Sequence, residues 1–220
     1  MIDLPDPEEA FRWENSFYLT ASPMRLGKLL AQWEIFKRII GLPGAVVECG
    51  VFKGCSLARL AMFRALCSTP HSKPIVAFDT FDRYAQADTP RDETLRARMV
   101  RDAGEDGISC GQMMGVLEEK ECAPNVTLCA GDIRETVPKY VRDHPELKIA
   151  LLNLDVDFQE AAETVLEHLY PRLVTGGILM LDDYGVFEGE TIAADNYFKG
   201  KVKIERFPYA YSPSYLVKPW

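Results

Sequence analysis

IALLNLDVD at residues 149–157 and GILMLDDYG at 177–185 decide the fold. Each is a short apolar run that closes on a pair of acids, Asp155 and Asp157 in the first and Asp182 and Asp183 in the second. A run that is apolar on both faces is what a strand covered on both sides requires, and such strands belong to parallel sheets. Three earlier stretches have the same form: AVVEC at 45–49, IVAFD at 75–79 and VTLCAGD at 126–132. Helix-like segments at 56–66, 134–143 and 158–171 lie between them. Strand alternating with helix predicts an α/β protein, a doubly wound and mostly parallel sheet with helices on both faces. The last two β-rich runs, VKIERF at 202–207 and SYLVK at 214–218, are too close for a parallel crossover and read as an antiparallel pair.

Upstream, residues 23–40 carry Leu26, Leu29, Leu30, Trp33, Phe36, Ile39 and Ile40 at spacings of three and four, the stripe of an amphipathic helix. Gly41, Pro43 and Gly44 end it. Residues 82–124 are long and strongly charged for a simple crossover, and are read as a crossover helix plus an insertion, either a lid or binding loop or a solvated charged helix.

Composition narrows the partners. Thirty-three acids against 25 bases, a net charge of -8, leave no basic reservoir for phosphate, so nucleic acid and anionic membranes are excluded as first expectations. The opening MIDLPDPEEA has neither a basic n-region nor an apolar h-region, and no apolar run reaches the length of a membrane span. A cytoplasmic protein is expected. Six cysteines without a C-x-x-C pair, and three histidines without ligand spacing, predict reduced, core-packed thiols and no zinc site.

In an open parallel sheet, ligands bind beyond the carboxyl ends of the strands, where helix N-termini and free loop backbone converge. The loop from Glu48 to Ser56 (ECGVFKGCS) offers two glycines, Gly50 and Gly54, and a helix start. It matches neither G-x-G-x-x-G nor a phosphate loop, so its glycines serve either close approach of a ligand or only a tight turn. Asp79 is placed to receive ribose hydroxyls. Asp132, followed by Ile133, is placed to hold an adenine amine and face, or to N-cap the next helix. Asp155, Asp157, Asp182 and Asp183 end two successive strands, and four acids that close would repel unless a hard divalent cation such as Mg²⁺ or Ca²⁺ sits among them. With three of them on the ion, the fourth is left as a base; four independent loop and cap carboxylates are the alternative. Phe17, Tyr18, Tyr84, Met113 and Met114 either wall an acceptor pocket or pack the core.

The stretches VECGVFKGCS, AFDTF, GDIRETVP, LLNLDVDFQEA, LYPRLVTGGILMLDDYG and GETIAADNYF together resemble the class I S-adenosylmethionine-dependent methyltransferases, and within them the macrocin O-methyltransferase family, which acts on sugar hydroxyls of natural products. The resemblance implies a Rossmann-like sheet of seven strands in the order 3-2-1-4-5-7-6, the last antiparallel, in a domain over 45–220 preceded by a helical extension over 1–44. It implies S-adenosylmethionine, leaving as S-adenosylhomocysteine, held by Glu48, Gly50, Val51, Gly54, Ser56, Asp79, Thr80, Asp132 and Ile133. It implies Mg²⁺ on Asp155, Asp182 and Asp183, with Asp157 as the base toward a sugar hydroxyl, in a homo-oligomer. Where the family carries an aromatic residue, an acid and a proline, this chain has Phe158-Gln159-Glu160. A nucleotide-binding oxidoreductase and a non-catalytic S-adenosylmethionine-binding protein are the competing readings.

Overall fold

A strand apolar on both faces has to be covered twice, and the covering helices arrive in sequence between the strands. The computed structural model describes residues 1–87 and 89–219; Asp88, inside the predicted insertion, and Trp220, the end of the predicted domain, lie outside the described residues. Two helices, α1 (Ala10–Thr20) and α2 (Pro23–Ile39), precede β1 (Ala45–Cys49), α3 (Cys55–Cys67) and β2 (Ile75–Asp79). Then come α4 (Pro90–Ala103), α5 (Cys110–Glu119), β3 (Val126–Ala130), α6 (Ile133–Asp143), β4 (Ile149–Leu154) and α7 (Gln159–His168). The chain closes with β5 (Leu173–Leu181), α8 (Glu188–Phe198), β6 (Glu205–Arg206) and β7 (Ser214–Val217).

The strands lie in the order β3-β2-β1-β4-β5-β7-β6, as the resemblance implies. The first five are parallel, and β7 runs antiparallel to both β5 and β6. On one face Val137 and Val141 of α6, Ala162, Val165 and Leu166 of α7, and Ala193 and Phe198 of α8 bury the sheet. On the other, Ile35 and Phe36 of α2, Leu57 and Leu60 of α3, and Met113 and Leu117 of α5 do so. Register fixes the rim: Cys49 pairs with Leu154 and Leu154 with Leu181, so the residues after them, Gly50, Asp155 and Asp182, emerge side by side.

The buried face of α2 differs from the predicted stripe. Gly27, Ala31, Gln32, Ile35, Phe36 and Ile39 face inward, while Leu26 and Leu30 are 40% and 43% exposed. The cause is close approach: a Cβ at Gly27 would lie 2.6 Å from the Tyr209 carbonyl oxygen, so only small residues fit the contact side at that end of the helix. Of the predicted stripe only Phe36 and Ile39 are fully buried. The thiols also depart from expectation. All six are free, but only Cys49 and Cys122 are buried and Cys55 is exposed.

The 82–124 segment is two helices. α5 is the crossover, opened by a capping box between Ser109 and Gln112 and buried through Met113 and Leu117. α4 buries only Asp92, consistent with its charged sequence. Its segment is tied at a neck: Tyr84 N–H donates to Glu105 O at 2.8 Å, Gly107 N–H to Asp82 O at 2.7 Å, and Ile108 N–H to Phe52 O at 2.7 Å. Among the described residues no helix is long and apolar enough to cross a membrane.

Candidate active site

The chain leaves β1 through Gly50, whose φ of 92° favours glycine. A Cβ there would stand 1.6 Å from the Asp155 carbonyl oxygen, so the glycine is demanded by the loop after β4 passing against it. Gly54, at φ 83°, precedes α3, and its missing Cβ makes room for the Met113 sulfur. Both glycines therefore answer to packing of the protein itself.

Asp79, at the end of β2, holds this loop in shape. Its Oδ2 accepts the backbone N–H groups of Val51 at 2.6 Å and Phe52 at 3.0 Å, and its Oδ1 accepts Phe81 N–H at 2.8 Å. The Thr80 hydroxyl lies 3.1 Å from the same Oδ1 and 2.8 Å from Arg83 O, and its one hydrogen can serve only one of them. A carboxylate with roughly four acceptor positions thus keeps little more than one for a ligand. Asp132 is the N-cap of α6, accepting Arg134 N–H at 2.8 Å, and pairs with the Arg134 guanidinium at 2.6 Å. Those hydrogen bonds hold its carboxyl below the usual range.

Glu48 is fully buried and accepts a hydrogen bond from Asn153 Nδ2 at 3.0 Å. Burial pushes it up to about 7, against the opposing pull of the Ser56 hydroxyl and Asn153.

A cavity of about 330 Å³ opens at the rim. Its lining brings together Gly50, Asp79, Thr80, Asp132, Ile133, Asp155 and Asp157, with Phe52, Tyr84 and Phe158. Glu48, Val51, Gly54, Ser56, Asp182 and Asp183 are not part of that lining. Of the five aromatic and methionine candidates, Tyr84 alone lines the cavity; Phe17 and Tyr18 are exposed on α1, and Met113 is core.

Asp155, Asp182 and Asp183 converge so that one oxygen from each lies within 4.8 Å of the others. Burial, reinforced by the neighbouring carboxylates, raises Asp155 well above its ordinary value and Asp183 to about 12. Asp182 Oδ1 is buried without a hydrogen-bond partner. Three carboxylates, one with an orphaned oxygen, form an all-oxygen donor set that suits a hard divalent cation. Asp157 sits beside them at φ 51°, a left-handed conformation that aspartate tolerates better than most residues. Its Oδ2 accepts the Tyr84 hydroxyl proton, and the Tyr84 ring meets Phe52 and Phe158 edge-on at 5.7 and 5.9 Å. Burial raises the Tyr84 hydroxyl and the Asp157 charge raises it further, so it remains a donor. Gly189 of α8 seats this turn, since a Cβ there would approach Asp157 O to 2.4 Å.

Sequence reasoning missed three groups here. Lys28, on α2, places Nζ 2.6 Å from Asp182 Oδ2. Burial works against its charge, but Asp182, Asp155 and Asp183 together hold its pKa above the ordinary lysine value. Glu190, fully buried on α8, accepts Asp183 N–H at 3.0 Å. Asn153 supplies the amide that Glu48 needs. A strand end closing on acids was readable; which distant helix faces it was not.

Comparison with known proteins gives this geometry its setting. A family model described as macrocin-O-methyltransferase (TylF) matches residues 24–206. The chain belongs to the macrocin-O-methyltransferase family. Mycinamicin III 3''-O-methyltransferase of Micromonospora griseorubida is 28% identical over 153 residues, 66% of this chain and 56% of that protein. The 8-demethyl-8-(2,3-dimethoxy-alpha-L-rhamnosyl)-tetracenomycin-C 4'-O-methyltransferase of Streptomyces olivaceus is 28% identical over 149 residues, 66% of this chain and 55% of that protein. The chain spans about half the length of the curated relatives it matches. Among solved structures, CalS11, a calicheamicin methyltransferase, superposes with a TM-score of 0.71 at 26% identity, covering 96% of this chain and 86% of its own. The O-methyltransferase NovP gives 0.73 at 19% identity over 88% and 80%, a likeness of fold. This macrocin-O-methyltransferase family member has the seven-stranded, Rossmann-like class I methyltransferase fold.

Proposed function

We propose that this protein is an S-adenosylmethionine-dependent O-methyltransferase that methylates a hydroxyl of a sugar, with Mg²⁺ or a similar hard divalent ion at the acid cluster. The observation that carries the reading is the convergence of Asp155, Asp182 and Asp183 beside the cavity that ends at Asp79 and Asp132, in a chain of this family. The names of its relatives, each a methyltransferase, and of CalS11 support the reaction class.

When bound, the ion would supply a Lewis acid that lowers the pKa of an acceptor hydroxyl, and S-adenosylmethionine would supply the methyl group. The chain's own residues then have separate tasks. Asp155, Asp182 and Asp183 would hold the ion. Asp157 would take the proton that methylation of a hydroxyl releases, oriented by the hydrogen bond that Tyr84 donates to its Oδ2. Gly50, Asp79 and Thr80 would line the cofactor's ribose side, with Asp132 and Ile133 at the adenine. Glu48, buried behind the loop with Val51, Gly54 and Ser56, would meet the cationic methionine end through the backbone they shape. Phe52, Phe158 and residues 82–86 of the insertion wall the cavity and exclude water, which strengthens every charge inside it. That segment would act as the acceptor-side lid.

Calorimetric titration with S-adenosylhomocysteine, with Mg²⁺ and after chelation, tests this. Micromolar binding is expected, together with turnover of sugar acceptors that chelator abolishes and that Asp182→Ala does not recover. Absence of binding in both conditions overturns the cofactor, and full turnover under chelator overturns the ion.

A further inference from the structure

A cluster of three acids, two buried and one half-buried, has to be neutralised somehow while it waits for an ion, and here the neutralising charge comes from outside the sheet. Lys28 projects from the first turns of α2, directly after Gly27, whose backbone rests against Tyr209. Its ammonium takes Asp182 Oδ2 at 2.6 Å, leaving Oδ1 of the same carboxylate buried and without a partner. The Asp182 side chain is 5% exposed and the Lys28 side chain 27%, so the lysine has a way out to water and the aspartate does not.

We propose that Lys28 is a built-in counter-ion that competes with the divalent cation for Asp182, so that loading of the acid cluster is an exchange in which the ammonium swings out as the ion enters. The inference rests on the reading of Asp155, Asp182 and Asp183 as an ion site. An ammonium on Oδ2 and a divalent cation on Oδ1 of the same buried carboxylate would stand close enough to repel each other strongly. Gly27 fixes the helix at the Tyr209 contact, so the exchange is a movement of the four-carbon side chain and not of α2. Lys28 thereby sets how tightly the ion is held and keeps the empty cluster folded.

The test is a Mn²⁺ titration of the purified full chain, followed by the electron paramagnetic resonance signal of the free ion, on wild type, Lys28→Met and Lys28→Arg. Loss of one fixed positive charge from a partly buried site should tighten Mn²⁺ binding in Lys28→Met by about tenfold or more, while Lys28→Arg stays near wild type. Without metal, Lys28→Met should melt below wild type, and Mg²⁺ should raise its melting temperature more than it raises that of wild type. If Lys28→Met does not fold alone, recovery of its circular dichroism on refolding with Mg²⁺ supports the exchange, and no recovery overturns it. Equal or weaker Mn²⁺ binding in Lys28→Met overturns the role of Lys28 and leaves the ion site standing. Failure of every protein to bind Mn²⁺ overturns both.

Discussion

Two groups of acids share the carboxyl rim of this sheet, and the protein treats them oppositely. Asp79, at the end of β2, and Asp132, after β3, are surrounded by donors: backbone N–H groups, a hydroxyl and a guanidinium. Asp155, Asp157 and Asp183, after β4 and β5, face one another, and burial with mutual repulsion raises all three. The first pair is spent on shaping loops. The second set, with Asp182, holds charge in reserve, and Lys28 and Tyr84 reach it from other elements by direct hydrogen bonds. On the proposed function, satisfied acids make the frame and dissatisfied ones mark where the chemistry is done.

Substitution on each side sharpens the contrast. The largest effect is expected from Asp157→Asn, which removes the proposed proton acceptor while keeping shape: kcat should fall by about 10²–10⁴-fold, with S-adenosylhomocysteine affinity unchanged by calorimetry. Near-normal turnover would move Asp157 into the framework class. Next is Asp79→Ala, which strands three backbone N–H groups; a stability loss of about 4 kcal/mol by urea unfolding is expected, with cofactor affinity falling because the loop loses its shape. A loss of cofactor affinity with stability intact would make Asp79 a contact and not a brace.

The smallest effect concerns Glu48, which lies between the two groups. Its folded pKa of about 7 stands above its ordinary value, so its contribution to stability is complete in acid and is lost as pH rises through 7. Glu48→Gln cannot ionise and keeps an acceptor for Asn153. The variant should match wild type near pH 4 and exceed it by up to about 3 kcal/mol at pH 8 in the absence of ligands. Parallel stability curves across that range would show that Glu48 is not forced to ionise against its surroundings.

Much of this was legible in the chain. Apolar runs ending in acids gave five parallel strands and the rim, because a strand's C-terminus and its last polar residue are neighbours in sequence as well as in space. The side of α2 that packs was misread, because leucines at 26 and 30 look like core while the contact needs Gly27 and Ala31. Lys28 escaped for a related reason. A lysine on an amphipathic helix reads as solvated, and its carboxylate partner lies 154 positions away. Glu190 and Asn153 look like ordinary helix and strand polar residues until the fold stacks them against Asp183 and Glu48. Long-range pairing is a property of topology, which local pattern does not contain.

The neck beneath α4 has an implication for redesign. Residues 82–84 and 105–107 are laced together by backbone hydrogen bonds, which any sequence with the right φ and ψ can make. Between those stitches the segment buries little beyond Asp92. It is a cassette: lengthening or replacing it costs the chain little closure entropy, because the ends are already joined. With the segment as the proposed acceptor-side lid, a change of acceptor would be written there while the sheet, the acids and the loop after β1 stay as they are.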